Sequence, residues 1–429
     1  MDIYENTSIF IACPPSVASG GPELLYQLCS ELRRRDLPAY MFFPYLQKGK
    51  SPVHANYVKY HVPYVEAVVD KPENILVLPE TQSEYYGSVR HIRKIFWWLS
   101  VDNYLTHLGE LFQFFFTDLT QVNLQRQVYL LTPDAQMEHW VQSEYARQYV
   151  QLNQVPERQI YFVGDYLRTS EHLGGTLEHT ERQDVIVYNP AKGLEFTQQI
   201  MQAAPDLKWQ PIKDMTPQQV QAALAQAKVY IDFGNHPGQD RIPREAAVAG
   251  CCIITGWRGS AANDIDIPIP QKYKFADKSD SIPAIIACIR ECLSAYAVHI
   301  ADFAEYRQMI LGQRAKFRAD VAAALPDKAQ RQHRQHVVLG RGAHLGALLT
   351  ALLKEREDLS IDGIWADDSQ YTNVECEGHD IPVWSLSDVV FLYREERIQY
   401  ILLEREEQEK GAMLSQAGIP QQALGWLSW

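Results

Sequence analysis

Long apolar runs are missing from this 429-residue chain. No stretch approaches the roughly 18–20 residues that span a bilayer, so no transmembrane segment is expected. Positive charge is in deficit: 40 Lys and Arg stand against 53 Asp and Glu, a net charge of −13. That balance argues against nucleic acid as a main partner. The cysteines Cys13, Cys29, Cys251, Cys252, Cys288, Cys292 and Cys376 form no C-x-x-C pair. Most sit in apolar segments and read as reduced core residues, not as a disulfide framework or metal ligands. The opening MDIYENTSIF is acidic and polar, unlike a secretory signal. The expectation is therefore a cytoplasmic protein, with peripheral membrane association and self-association left open. A repeat of solenoid period is absent, and so is a metal-ligand cluster. What the chain does have is 46% apolar residues, ample for cores, and a length that suggests two or three domains.

The stretch Val229–Thr255, VYIDFGNHPGQDRIPREAAVAGCCIIT, organises the rest. Val229–Phe233 reads as a buried strand and Gly234–Asp240 as a turn-rich loop. Arg241–Ala249 reads as a helix with Pro243 in its first turn, where a missing N–H costs little. Gly250 ends that helix, and Cys251–Thr255 is a second buried strand. Strand, glycine loop, helix and strand make a βαβ unit with parallel strands. The loop opens onto a helix N-terminus, whose free N–H groups suit a phosphate. Arg241 and Arg244 add charge. Glu245 lies one turn after Arg241 on the same face and could accept hydrogen bonds from ribose hydroxyls. An ordinary α/β turn with a surface Arg–Glu pair is the alternative.

The pattern D-F-G-x-x-x-G-x-D-R-x-P-R-E-A-A-x-A-G-C resembles the donor-binding segment of GT-B glycosyltransferases of the group-1 or family-4-like clan. In that family a Glu on the equivalent helix holds the nucleotide ribose, and Glu245 matches it. Retaining members carry a second Glu eight residues earlier, where this chain has Pro237. The pair is incomplete, which leaves the anomeric outcome undetermined.

Upstream, Ser8–Cys13 is a buried strand, Pro14–Gly21 a loop, and Pro22–Arg35 an amphipathic helix with Leu24, Leu25, Leu28 and Leu32 on one stripe. The resemblance implies that Gly20 and Gly21 lie against the donor; a tight βα turn would also account for them. Further strands are expected at Ala39–Pro44, Asn74–Pro79, Lys94–Leu99, His139–Ser143 and Gln159–Val163. Asp102 and Asn103 follow the strand KIFWWL at its carboxyl end, where open α/β sheets place ligands. Asp102 could be the base toward an acceptor hydroxyl, or the cap of a helix Asn103–Phe116. His139, beside Trp140, reads as a core residue. The polar stretch Thr169–Gln183 reads as an interdomain linker.

A second sheet begins with Asp184–Tyr188 and the loop Asn189–Gly193. The resemblance implies that Lys192-Gly193 reaches the donor diphosphate, where an ammonium can neutralise a leaving group without a metal. Arg258-Gly259-Ser260 follows the strand Cys251–Thr255 and could also hold the donor. Ser279–Leu293 and Ala301–Leu325 are helical by period.

After a basic stretch, Lys328–His336, comes strand Val337–Leu339 with the loop Gly340-Arg341-Gly342-Ala343-His344-Leu345-Gly346. A helix Ala347–Glu357 and a strand Ile361–Ala366 follow, ending in Asp367-Asp368. Glycines for a tight turn and an acid after the second strand suit a nucleotide. The order of glycine loop, I-D-G-I-W-A-D-D and G-x-D-I-P-V-W resembles the small N-terminal domains of sugar-nucleotide acyltransferases. Gly340, Gly342, Gly346 and Asp367 are the candidates there; docking or oligomerisation is the alternative.

Together these features point to an α/β fold: a GT-B architecture of two Rossmann-like domains, 1–168 on the acceptor side and 184–327 binding the donor, plus a third small Rossmann-like domain, 336–429. The expected activity moves a sugar from a nucleotide-diphosphate donor to a glycan or other hydroxyl acceptor, in surface polysaccharide synthesis. Asp102 and Lys192 are the expected catalytic residues. Gly20, Gly21, Lys192, Gly193, Arg241, Arg244, Glu245 and Arg258 form the donor set. No cofactor and no metal are expected. The alternatives are a nicotinamide-dependent oxidoreductase using Gly340–Asp368 and a non-catalytic sugar-nucleotide-binding scaffold.

Overall fold

A computed structural model describes residues 1–44, 46, 49–117, 129–131, 134, 136–168, 182–329, 331, 333–366 and 372–427. The protein is α/β with parallel sheets. The first sheet holds β1 (Ile9–Ala12), β2 (Ala39–Phe42), β3 (Tyr64–Val65), β4 (Ile75–Pro79), β5 (Arg93–Trp98), β6 (Met137–Val141) and β7 (Ile160–Phe162). Its order is β3-β2-β1-β4-β5-β6-β7, a doubly wound arrangement. The second sheet holds β8 (Gln183–Tyr188), β9 (Lys208–Pro211), β10 (Ala227–Asp232) and β11 (Cys252–Thr255), in the order β11-β10-β8-β9. The third holds β12 (Gln335–Gly340), β13 (Leu359–Trp365), β14 (Asn373–Cys376), β15 (His379–Trp384), β16 (Tyr400–Glu404) and β17 (Leu424–Leu427), in the order β14-β15-β13-β12-β16-β17.

By compactness the chain divides into two units. The first contains Val77–Arg90 and Lys94–Pro326. The second contains Asp2–Leu76, His91–Arg93 and Asp327–Trp429.

In the first unit, β5 is apolar and buried along most of its length, as KIFWWL requires of a strand covered on both faces. Helix α2 (Val101–Thr117) follows it and α3 (Glu144–Leu152) follows β6. The expected role of Asp102 as helix cap is corrected here. The Ser100 hydroxyl accepts from the Asn103 N–H at 3.0 Å, so the cap lies two residues earlier. In the second sheet β10 runs parallel to β8 and β11, with Asp232 opposite Thr255. Helix α4 (Leu194–Ala203) follows β8, and α5 (Pro217–Gln226) precedes β10 with a Thr216–Gln219 capping box. Helix α6 (Arg241–Ala249) ends on Gly250 at φ 90°, the left-handed position that favours glycine. Helix α7 (Ile282–Ser294) covers the sheet with Ile285 and Ile289 in the core. The helix expected over Ala301–Leu325 is divided at Gly312 into α8 (Ala304–Leu311) and α9 (Gln313–Ala324). Among the described residues, no single helix is long and apolar enough to cross a membrane.

In the second unit, β1 pairs with β2 and β2 with β3, all parallel. Helix α1 (Gly20–Arg34) follows β1. The third sheet is parallel except for its edge, where β14 and β15 form an antiparallel hairpin. Its two-residue turn, Glu377-Gly378, has both φ values positive (51° and 76°), as a twisted hairpin demands. Helix α10 (Leu345–Glu355) follows the glycine loop. The stretch Thr169–Glu181 of the expected linker and the candidate Asp367 lie outside the described residues.

Candidate donor and acceptor site

In the second sheet the connections from β8 and β10 leave in opposite directions, which opens a crevice at their carboxyl ends. The loop Asn189–Gly193 and the loop Phe233–Asp240 meet there. Gly193 sits at φ 63°, and a side chain on it would overlap the backbone of Phe233 and Gly234. Glycine is therefore required at this close approach. A side chain on Gly234 would in turn strike the Lys192 stem.

The Lys192 ammonium lies within this crevice, against carboxylates. It contacts Asp240, lies 3.3 Å from Asp232 Oδ2, and donates to the Asn235 carbonyl at 3.1 Å. The buried His236 ring faces the same two acids, with Nδ1 at 3.1 Å from Asp240 and Nε2 at 3.6 Å from Asp232. Burial would raise the Asp240 pKa, but the adjoining His236 ring and the Lys192 charge hold it below the usual range. Asp232 also accepts from the Tyr230 hydroxyl at 3.0 Å and the Gly234 N–H at 2.9 Å. Asp232, His236 and Asp240 bring ligand atoms within 4.8 Å of one another, a grouping that could hold a metal ion. The sequence reading missed it, although Asp, His and Asp four apart is a visible spacing. In this geometry the Lys192 ammonium already supplies a positive charge to both carboxylates.

On α6, Glu245 and Arg241 face each other at 3.6 Å, as their one-turn spacing implies. Glu245 keeps 14% of its side-chain surface exposed. Arg244 differs, and its expected donor-binding role is corrected. Its side chain is 2% exposed and all five of its N–H groups are taken. They go to Asp165 Oδ1 and Oδ2 at 2.9 and 2.7 Å, Gln313 Oε1 at 2.8 Å, and the Asp240 and Gln239 carbonyls at 3.1 and 2.7 Å. With no N–H left for a phosphate, Arg244 ties α6 to Asp165 and α9. Arg258 stands at the lip of β11, 56% exposed, and pairs with Asp277 at 2.8 Å. The following Gly259 turn packs on His236, whose carbonyl accepts from the Ser260 N–H at 2.8 Å.

The carboxyl ends of β5 and β6 belong to the same unit and bear on the same loop. A side chain on Gly238 would collide with the Leu99 carbonyl and Gln142. Asp102 accepts from the Tyr145 hydroxyl at 3.0 Å through Oδ1 and from the Asn235 side-chain amide through Oδ2. Asp266 anchors the N-terminus of α3, accepting from the Glu144 and Tyr145 N–H groups at 2.8 and 3.0 Å. Glu80, just past β4, escaped the sequence reading. It is buried, and burial pushes its carboxyl up to about 7, although the Leu99 N–H at 3.2 Å opposes the shift. Its position directly after the strand ILVLP was the available signal. His139 is a satisfied core residue: Nδ1 accepts from the Trp98 indole at 3.0 Å, Nε2 faces the Tyr129 hydroxyl at 3.1 Å, and burial lowers its pKa to about 4.

In the second unit, Gly20 and Gly21 open α1. The preceding Ser19 is held by Tyr57, which donates to its carbonyl at 2.8 Å and accepts its N–H at 3.1 Å. The expected phosphate cradle at Gly340–Gly346 is corrected. Glu404, the last residue of β16, fills it: the carboxylate accepts the His344 N–H at 2.9 Å and lies 3.0 Å from His344 Nδ1. A side chain on Gly342 would overlap that carboxylate, while Gly346 faces open space. The glycine thus makes room for a protein carboxylate, and a phosphate would meet its negative charge.

No family model matches the chain, and no curated protein matches it. Similar folds occur among solved structures. Anabaena HepE in complex with UDP is 10% identical with a TM-score of 0.48, over 74% of this chain and 99% of HepE. A mutant of S. aureus TarM with fondaparinux, alpha-GlcNAc-glycerol and UDP is 11% identical with a TM-score of 0.41. That match covers 59% of this chain, which spans about 55% of the length of TarM. Thermosynechococcus elongatus sucrose-phosphate synthase is 12% identical with a TM-score of 0.46, over 74% of this chain and 100% of that one.

Proposed function

We propose that this protein is a GT-B-type glycosyltransferase. Residues 1–168 form its acceptor-side domain, 184–327 its donor domain, and 336–429 an added Rossmann-like module. The reaction transfers a sugar from a nucleoside-diphosphate sugar to a glycan hydroxyl, in cytoplasmic synthesis of a surface polysaccharide. One observation carries the reading. The crevice at the β8–β10 switch point brings Lys192-Gly193 and the Glu245 helix to one sheet edge, and Asp102 is hydrogen-bonded to its rim through Asn235.

In this reading Glu245 accepts hydrogen bonds from the ribose hydroxyls. Arg241, Arg258 and Lys192 offset the charge of the diphosphate, with the backbone at Gly193 approaching the donor. Asp102 removes the proton of the acceptor hydroxyl, which takes the place of the Asn235 amide on its carboxylate. Lys192 stabilises the departing nucleotide diphosphate, so the reaction proceeds without a divalent metal. Docking, rather than nucleotide binding, is the role of the third sheet's glycine loop, since Glu404 fills it.

Calorimetric titration with UDP, the nucleotide bound in the HepE structure, tests the reading. Wild-type protein should bind it, and Glu245→Ala should weaken binding by about 1.5–3 kcal/mol, the scale of hydrogen bonds to a charged group. Unchanged UDP affinity in a folded Glu245→Ala protein would remove the ribose assignment. Sugar transfer that stops on adding EDTA would remove metal independence.

A further inference from the structure

The second unit has a half-open cavity of about 1150 Å³ at the amino ends of β12 and β13. This is the edge opposite the glycine loop. Its wall includes Arg33 from the last turn of α1, Arg397 just ahead of β16, and Trp384 from the end of β15. His336, Asp36 and Asp362 complete the inner part.

The acids there are already answered by other groups. Asp362 lies 2.9 and 3.0 Å from His336 Nδ1 and accepts from the Ser360 hydroxyl at 3.0 Å. His336 Nε2 lies 3.4 Å from Asp36. Although burial works against the imidazolium, its two carboxylate neighbours raise its pKa to about 9, so it is charged at neutral pH.

The Arg397 guanidinium is left over. Arg397 is 6% exposed, yet its Nε and Nη1 have no hydrogen-bond partner, and its Nη2 reaches only to 3.7 Å from Asp362. Burial acts against its charge, Asp362 offsets part of that, and the like charge of Arg33 acts against it again. The Trp384 indole N–H, 4% exposed, is likewise unpartnered. Glu31, whose charge also acts on Arg397, is held by Arg34 in two hydrogen bonds at 2.8 and 2.7 Å. Buried donors left unpaired are costly, and native proteins rarely keep them. Two guanidiniums on one cavity wall match the geometry of an oxyanion that accepts several N–H bonds at once.

We propose that this cavity is a binding site for a phosphate-bearing small molecule, its oxyanion held by Arg33 and Arg397 with the Trp384 indole N–H as a further donor. The cavity is much larger than a phosphate, so the phosphate is one end of a larger polar ligand. The inference is independent of the glycosyltransferase reading, whose residues Lys192, Glu245 and Asp102 belong to the first unit.

The test is calorimetric titration of the full-length protein with glucose 1-phosphate, inorganic phosphate and glucose as separate probes. Glucose 1-phosphate should bind at about millimolar or tighter, phosphate more weakly, and glucose not measurably. Arg33→Gln, at a helix end where the change is tolerated, should weaken binding about tenfold or more while the melting temperature and UDP titration stay unchanged. Trp384→Phe keeps the ring, removes the donor, and should weaken binding several-fold. Equal affinity for phosphate and its ester would support the oxyanion site and overturn the larger ligand. Absence of binding by both phosphates, or affinity untouched by Arg33→Gln and Trp384→Phe, would overturn the site.

Discussion

Replacing Asp165 by alanine removes the partner of a guanidinium that has no access to water. Arg244 is 2% exposed and donates both bonds of a bidentate pair to Asp165, at 2.9 and 2.7 Å. Its remaining donors stay satisfied by Gln313, the Asp240 carbonyl and the Gln239 carbonyl. The loss therefore falls on the charge, which would remain buried without a counterion. Breaking a buried pair from one side costs about 3–5 kcal/mol. Since about 1.4 kcal/mol is tenfold in an equilibrium constant, local opening of α6 should become roughly two to three and a half orders of magnitude more populated. Two compact units make a single global unfolding transition a poor measure. Native-state hydrogen exchange of a peptide covering Arg241–Ala249 reads the change directly. Removing both charges, in Asp165→Leu with Arg244→Met, should recover most of the lost protection, because apolar replacements of a buried pair are often neutral. Acceleration of less than tenfold in Asp165→Ala would refute the reasoning: Arg244 would then be reaching water or another acceptor.

Three further outcomes are expected. Asp102→Asn should leave UDP binding intact and slow sugar transfer by roughly 10²–10⁴-fold if Asp102 is the acceptor base; a rate within a few-fold of wild type in a transfer assay would dismiss that role. Lys192→Ala should expose Asp232, His236 and Asp240 to solvent cations, so Mn²⁺ should raise the variant's melting temperature well beyond its effect on wild type, and equal shifts would count against the ammonium as the resident positive charge. His336 has its pKa raised from 6.5 to about 9, so the stability it contributes is fully present below pH 6.5 and lost as pH rises through about 9, a span of about 3 kcal/mol. His336→Gln should flatten the fall in melting temperature over that range, and an unchanged slope would mean another group titrates there.

What the sequence determined by itself is the local order of the fold. Apolar runs such as Ile95–Trp98 and Val229–Ile231 could only be buried strands, and all of these residues are buried. Gly250 marked the end of its helix, and it stands at φ 90°. The one-turn spacing of Arg241 and Glu245 placed them on a shared face, where they meet at 3.6 Å. Each of these follows from interactions between near neighbours in the chain, which are written into the order of residues. Which arginine of RIPRE faces the crevice was not legible, because Arg244 is claimed by Asp165 and Gln313, 79 and 69 residues away. The glycine loop at Gly342 read as a phosphate cradle until Glu404, 60 residues past His344, proved to fill it. The acidic partners of Lys192 were not legible either: beside the crevice proposed for the diphosphate its ammonium contacts Asp240, 48 residues on. A charged side chain takes the counterion that folding brings within a few ångströms, and only the packing of distant strand ends decides which one that is.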